Sequence, residues 1–346
     1  MFFPEHFGFC EGVKAADDLL ADIARVAHDS GIPKVYGLHE IVHNKTVTDK
    51  HRANGVEFVN SIDDIPGNSV VVTSAHGVGP DTVFALEQKG ATVFDAACPL
   101  VLHTHRAAET ARRYGEKVLY VCHGKPGEVE TLHDEVLGMV GHLDYKYGQE
   151  GLVYDPVDRH YLELGEEPTD EIMSVDAKYR IATQTTLLAE ACLRYVDVIT
   201  EFISERQPDA KVEFSQRGYV CRAVADRQQG VEQLIQLKPR RVVVVTDPNS
   251  KNGAGYVDLA RDLAPNGVSV HAVATIEEAK ELGIIDELTG ITASASTPDE
   301  VTLGVAQELG LHNAPVIQRP TFNLRHARPG IIESMIEKHI ERIKAQ

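Results

Sequence analysis

Tryptophan is absent from this chain, and no apolar run reaches the ~20 residues needed to span a bilayer, so a helical membrane span is excluded. Paired CxxC spacings are missing, which removes the strongest sequence signature of a structural zinc site. There is no GxxxxGK[ST] string, so any phosphate is not held by a P-loop. Cysteines number five, an odd count with wide spacings, and nothing resembles a secretory signal; disulfides are not expected and a cytoplasmic location is. Basic residues are few: 34 Lys and Arg against 52 Asp and Glu give a formal charge of −18, spread along the chain. That balance favours solubility and argues against nucleic acid as a partner. No Ser/Gly linker or low-complexity stretch divides the 346 residues, which suffice for two or three domains.

What is present is more telling. Cys10, Cys98 and Cys221 each precede a run with apolar residues three and four apart, the pattern of an amphipathic helix. Pro99 fits the first helical position, which makes Cys98 the expected N-cap. A helix N-terminus carries about half a positive charge and free N–H groups, and it stabilises thiolates. Three such thiolates from remote segments point to one metal site assembled by the fold. Three ligands would leave one position open on a tetrahedral zinc or one iron free on a 4Fe–4S cluster. The competing reading is three small core residues, the commonest fate of free cysteine. Cys192, in line with Leu188, Val196 and Ile199, reads as core; Cys122, after the run VLYV, reads as a strand-end core position or a site-lining one.

Short β-branched runs alternate with helical patterns. They are VVVTSAHG (70–77), VLYVCHGK (118–125), VVVVTDPNSKNG (242–253) and GITASASTPDE (290–300). Continuous apolar strands alternating with helices indicate parallel sheets covered on both faces, an α/β fold. Ligands in such sheets bind beyond the carboxyl ends of the strands, where His76, His123, Ser250, Asn252 and Ser296 fall. Residues 140–180 read as connection and edge strand. The final segment reads as an amphipathic helix with Ile332, Met335, Ile336, Ile340 and Ile343 on one stripe, docked on its own core.

The string HEIVH at 39–43 matches HExxH, but the preceding KVYGL reads as strand, and that motif needs a helix to put both histidines on one face. A zinc hydrolase is therefore the weakest reading. Histidines at strand ends beside Ser and Asn loops suit an anion pocket, with Lys251 adding a full charge. Glu128 and Glu130, in HGKPGEVETL, could deliver protons or form a solvated surface pair. Thr185 and Thr186 close an apolar strand and suit helix capping.

Nine segments, in order, carry a family resemblance: GFCEGVKAA, HEIVHNKTV, SAHGV, VFDAACPLV, EVE, TQTTL, the Cys221 segment with DRQ, NSKN and TASASTPD. Over roughly residues 7–310 the chain resembles the 4-hydroxy-3-methylbut-2-enyl diphosphate reductase (IspH/LytB) family. The resemblance implies a three-lobed α/β protein, each lobe a small parallel sheet flanked by helices, around a central 4Fe–4S cluster. Lobe boundaries are expected at 11–98, 99–216, and 1–10 with 217–320, followed by a C-terminal helix in 321–346. Cys10, Cys98 and Cys221 map onto the cluster ligands. His43, His76, Ser250, Asn252 and Ser296 map onto diphosphate contacts. Thr185 and Thr186 map onto a threonine pair, one of which meets the substrate hydroxyl. Glu128 maps onto the proton-relay glutamate if the loop aligns without a gap, with Glu130 as the alternative.

The family reaction is reductive removal of an allylic hydroxyl, using two electrons and two protons, to give isopentenyl and dimethylallyl diphosphates. Ferredoxin or flavodoxin is the electron donor that the family implies. The chain departs from the pattern at three points. Pro126 stands where the family has a third active-site histidine, Lys251 replaces a second serine, and CRAVADRQ lacks the usual threonine after the cysteine. Lys125 or Lys251 could restore the lost positive charge. The departures keep two alternatives open: a paralogue with the same cluster and another anionic substrate, and a cluster-bearing sensor without turnover. The threonine pair and the glutamate argue against a sensor, which needs no proton relay.

Overall fold

The β-branched runs fold as strands because each is apolar throughout and therefore stable only when covered on both faces. The computed structural model describes residues 2–121, 152–155, 160–162, 178–188, several positions in 192–204, and 207–214. It further describes 221–283, 288–310, 324–328 and 330–345. The described residues form three separate sheets flanked by helices, an α/β architecture.

The first sheet has the order β2-β1-β3-β4, all parallel: β1 Val35–Leu38, β2 Val56–Val59, β3 Val70–Thr73 and β4 Thr92–Phe94. Helices α1 (Glu11–Asp29), α2 (Lys45–Ala53) and α3 (Pro80–Gln88) accompany it. Leu19, Leu20 and Ile23 of α1, each at most 1% exposed, meet Val70 and Val72 of β3 in one core. Burying each such side chain is worth roughly 1.5–3 kcal/mol.

The second sheet, order β7-β6-β5-β8-β9, is built on β5 Lys117–Val121 and β8 Lys178–Thr183. Its outer strands are β6 Leu152–Asp155, β7 His160–Leu162 and β9 Lys211–Glu213; β7 alone runs antiparallel. Thus the region expected as connection and edge strand does supply the edge. Helix α4 (Pro99–Arg113) packs on β8. Cys192 is buried at 1% exposure, as its helical line-up suggested.

The third sheet, β11-β10-β12, is parallel: β10 Arg241–Val245, β11 Ser269–Val273 and β12 Thr289–Ala293. Around it lie α5 (Arg222–Gln236), α6 (Lys251–Leu263), α7 (Ile276–Glu281) and α8 (Asp299–Glu308). The N-terminal segment joins this sheet rather than the first. Phe2 bridges Gly290, and the N–H groups of Gly8 and Cys10 donate to Ala293 and Ala295 at 3.2 and 3.1 Å.

The last helix, α9 (Ile331–Lys344), docks on α1 and β4, with Ile332 and Ile336 in the first core. One detail of the expected stripe fails: Ile343 is 41% exposed, because the final turn runs past the core. His339 is buried instead, within 3.0 Å of Thr92 Oγ1.

Candidate functional site

The polar residues after the strands converge because parallel strands present all their carboxyl ends on one side. His43 follows β1, His76 follows β3, Thr185 and Thr186 follow β8, Ser250–Asn252 follow β10 and Ser296 follows β12. All of them line one cavity with about 710 Å³ of empty space, part of it open to solvent. Cys10, Cys98 and Cys221 line the same cavity, with Val13, Val42, Leu100, Val101 and Val224 as apolar wall. Glu128, Glu130, Pro126, Lys125, His123 and Cys122 lie outside the described residues.

Each of the three cysteines stands at a helix start. Cys10 caps α1, and its Sγ accepts from the Val13 N–H at 3.4 Å. Cys98 directly precedes Pro99, the first residue of α4; its carbonyl accepts from Leu102 N–H and its own N–H donates to Ala75 at 2.9 Å. Cys221 caps α5, its carbonyl accepting from Val224 and Ala225. Gly12 makes the convergence possible. A Cβ there would stand 2.4 Å from Cys98 Sγ and 4.0 Å from Cys10 Sγ, so those sulfurs lie within about 6.5 Å of each other and any side chain would collide.

Burial is the main force on the thiols of Cys98 and Cys221. It pushes the Cys221 pKa up to about 12, reinforced by Cys10 and opposed by the N–H groups of Val224 and Ala223 and by Arg227. Cys98 is raised further, by burial and then by Cys10 and Cys221, against the N–H groups of Leu100 and Val101. Thiols raised in this way, as Cys98 and Cys221 are, lose their protons when a metal displaces them. Three cysteines lining one cavity are a donor set that fits a thiolate-bound metal centre.

The opposite wall is polar. His43 and His76 stack with ring centroids 4.9 Å apart and planes 23° from parallel, and His43 Nδ1 lies 3.7 Å from Glu40 Oε2. HEIVH forms no helix: His39 is left-handed at φ +62°, and α2 begins only at Lys45. Ser250 caps α6 by accepting from Gly253 N–H at 3.1 Å, and its hydroxyl lies 3.4 Å from that of Ser296. Asn252 Oδ1 accepts from Ala295 N–H at 3.4 Å, while its buried Nδ2 closes no hydrogen bond, though it faces the Tyr256 hydroxyl. Gly253 is obligatory, since a Cβ there would lie 1.7 Å from Thr246 Oγ1.

Two residues to which the sequence reading gave no role hold these walls. Asp247, 7% exposed, accepts from Asn249 N–H on its own loop and from Lys45 N–H across the site, both at 2.9 Å. It therefore ties the Ser250 loop to the helix that follows His43. Arg227 is the other. Its signal was available: a cation at 227 in line with Val224, Val231 and Leu234 breaks the apolar stripe of α5.

A family model described as LytB protein matches residues 2–310. The chain belongs to that family. Among relatives, a 4-hydroxy-3-methylbut-2-enyl diphosphate reductase of Glaesserella parasuis serovar 5 (strain SH0165) is 32% identical over 302 residues, 87% of each chain. One of the same name from Psychromonas ingrahamii (strain DSM 17664 / CCUG 51855 / 37) is 29% identical over 337 residues, 97% of each. The solved reductase structure from Plasmodium falciparum shares the fold, with TM-score 0.70 at 21% identity, covering 97% of this chain and 96% of that one. A second structure, of (E)-4-hydroxy-3-methyl-but-2-enyl diphosphate reductase, the terminal enzyme of the non-mevalonate pathway, has TM-score 0.62 at 27% identity. It covers 89% of this chain and 98% of that one. The matched residues thus include those that line the cavity, Cys10, Cys98, Cys221, His43 and His76 among them.

Proposed function

We propose that this chain is a 4-hydroxy-3-methylbut-2-enyl diphosphate reductase. In this reading it removes the allylic hydroxyl with two electrons and two protons, giving isopentenyl and dimethylallyl diphosphates. The observation that carries the reading is one cavity lined by three cysteines at helix starts together with His43, His76, Ser250, Asn252 and Ser296. The relatives named for this activity support it. The lobes of this reading run over 11–98, 99–216 and 1–10 with 217–320, with the C-terminal helix in 321–346.

A 4Fe–4S cluster held by Cys10, Cys98 and Cys221 would supply the electrons and, having only three protein ligands, an open iron position. The rest falls to the protein. His43, His76, Ser250, Asn252 and Ser296, which line the cavity, hold the diphosphate through neutral or charge-assisted donors. Lys251, on the N-terminal turn of α6, adds a full charge where a helix N-terminus already favours anions. In this reading Thr185 and Thr186, which line the cavity after the second sheet's β8, meet the hydroxyl end. Glu128 serves as proton donor to the leaving oxygen, by sequence alignment alone. Val13, Val42, Leu100 and Val101 keep water from the reacting end. The electron donor is a ferredoxin or flavodoxin, and the location is cytoplasmic. Among the described residues no helix is long and apolar enough to cross a membrane.

Lys251 favours a second reading, a family paralogue acting on another anion, because an exposed cation lines the pocket where the resemblance places a serine. Anaerobic purification, iron and sulfide analysis, and Mössbauer spectroscopy with and without the isoprenoid diphosphate separate the readings. The primary reading expects a 4Fe–4S signal, a change at one iron on substrate addition, and both C5 diphosphates as products. An iron-loaded protein that neither binds nor reduces this substrate leaves the paralogue; a protein that never loads iron overturns both.

A further inference from the structure

Arg227 is a buried cation whose partners are all neutral. It sits on the second turn of α5, 3% exposed. Nε donates to the Gly8 carbonyl, Nη2 to Phe9 and Nη1 to Ala223, each at 2.8 Å. Two of those carbonyls immediately precede Cys10, and the helix that carries Arg227 begins at Cys221. The clamp is tight: a Cβ on Gly230, one turn on, would stand 2.8 Å from Pro4 Cβ. Arg227 thus fixes the segment leading to one thiol against the helix capped by another.

Hydrogen bonding is satisfied, but charge is not. Among the described residues no carboxylate forms an ion pair with Arg227; neighbouring Asp226 lies 3.4 Å from Arg222 instead. Burying a full charge among neutral dipoles is costly, and proteins tolerate it where a counter-charge is close. The carbonyls it holds belong to the segments that carry the thiols: Phe9 directly precedes Cys10, Ala223 lies two residues past Cys221, and both cysteines line the cavity.

We propose that Arg227 is the fixed counter-charge of the anionic centre formed by Cys10, Cys98 and Cys221, and that its charge raises the reduction potential of the cluster bound there. Arg227 is a positioning residue: it holds two ligand-bearing segments together while compensating the charge they acquire. The inference rests on the iron–sulfur reading above. Adding an electron makes the centre more negative, so a nearby fixed cation stabilises the reduced form more than the oxidised one.

The test compares Arg227→Gln with Arg227→Lys in the anaerobically reconstituted full chain. Iron content is measured first, and then the midpoint potential by titration with dithionite, a one-electron donor, followed by electron paramagnetic resonance. Arg227→Gln should show a potential more negative than wild type or a loss of iron while its apoprotein still folds. Arg227→Lys, keeping the charge but not the fork, should recover most of the lost property. A Gln variant with wild-type iron and an unmoved potential overturns the proposal, as does a Lys variant no better than Gln. If the Gln apoprotein unfolds by circular dichroism, Arg227→Lys decides alone. Loading near the wild-type potential supports the proposal, and a folded Lys variant that holds no iron overturns it. A wild type that never loads iron is a failure of the iron–sulfur reading instead.

Discussion

Two buried charges in this protein are handled in opposite ways. On α1, Asp17 is 6% exposed, and its carboxylate lies 2.6 Å from His51 Nε2 and 3.4 Å from Lys50 Nζ, both on α2. Burial alone would raise its pKa, but the hydrogen bond and charge of His51, with Lys50, hold it below the ordinary carboxylate value. That charge is closed on itself and joins two helices. On α5, Arg227 is equally buried and meets only carbonyls. No carboxylate among the described residues pairs with it. A buried charge with a local partner serves the fold; one without a local partner marks where another charge belongs.

The largest test of that contrast is on the open side. Replacing Cys10, Cys98 or Cys221 with serine should abolish or cripple iron binding, whereas Cys192→Ser, in the second unit's core, should keep it; iron and sulfide analysis of each variant checks this. A full complement in Cys221→Ser would mean that Arg227 faces no shared anionic centre. Gly12→Ala should act like a cysteine loss, because the new methyl would occupy the space of Cys98 Sγ.

The closed side should respond in stability and not in iron. Asp17→Ala leaves His51 and Lys50 without their carboxylate, and breaking a buried pair typically costs about 3–5 kcal/mol. Urea unfolding of the iron-loaded protein should show that loss with iron stoichiometry unchanged. Because the folded Asp17 pKa is depressed, its contribution is present above the unfolded value of about 3.9 and is lost as pH falls through the folded value. Asp17→Asn should therefore flatten the acid limb of stability below about pH 4. An unchanged limb would show that the α1–α2 pair does not couple to folding.

The smallest effect concerns the mouth of the cavity. Lys251→Ser should weaken diphosphate binding by about one to two decades, the worth of a charge-assisted hydrogen bond at about 1.5–3 kcal/mol. Isothermal titration with inorganic diphosphate measures this directly. Unaltered affinity would assign Lys251 to the solvent and return the compensating role to Lys125.

Much of this was legible residue by residue. VVVT at 70–73, VVVV at 242–245 and TGITA at 289–293 became strands because each is an unbroken β-branched or apolar run. Cys98 before Pro99 was readable as a helix start, since proline at the first helical position gives up only an N–H that has no partner there. The polar residues beyond the strands were readable as ligand-facing through the geometry of parallel sheets. Ile343 was misjudged because periodicity assigns a stripe but not where the core beneath it ends. Asp247 escaped because a loop aspartate looks solvated until its partner is known, and that partner, Lys45 N–H, lies 202 residues away.

The sequence by itself determined the strands, the helix starts, the acidic surface and which side chains could carry chemistry, because propensity, capping and periodicity act over a few residues. Only the tertiary structure decided that Cys10, Cys98 and Cys221 share one cavity, that Gly12 must lack a side chain, and that Arg227 is buried without a carboxylate. Those outcomes depend on how three sheets pack and on contacts between residues more than two hundred positions apart, such as Arg227 with Gly8. Local pattern carries no record of such distances; the packing of one core against another creates them.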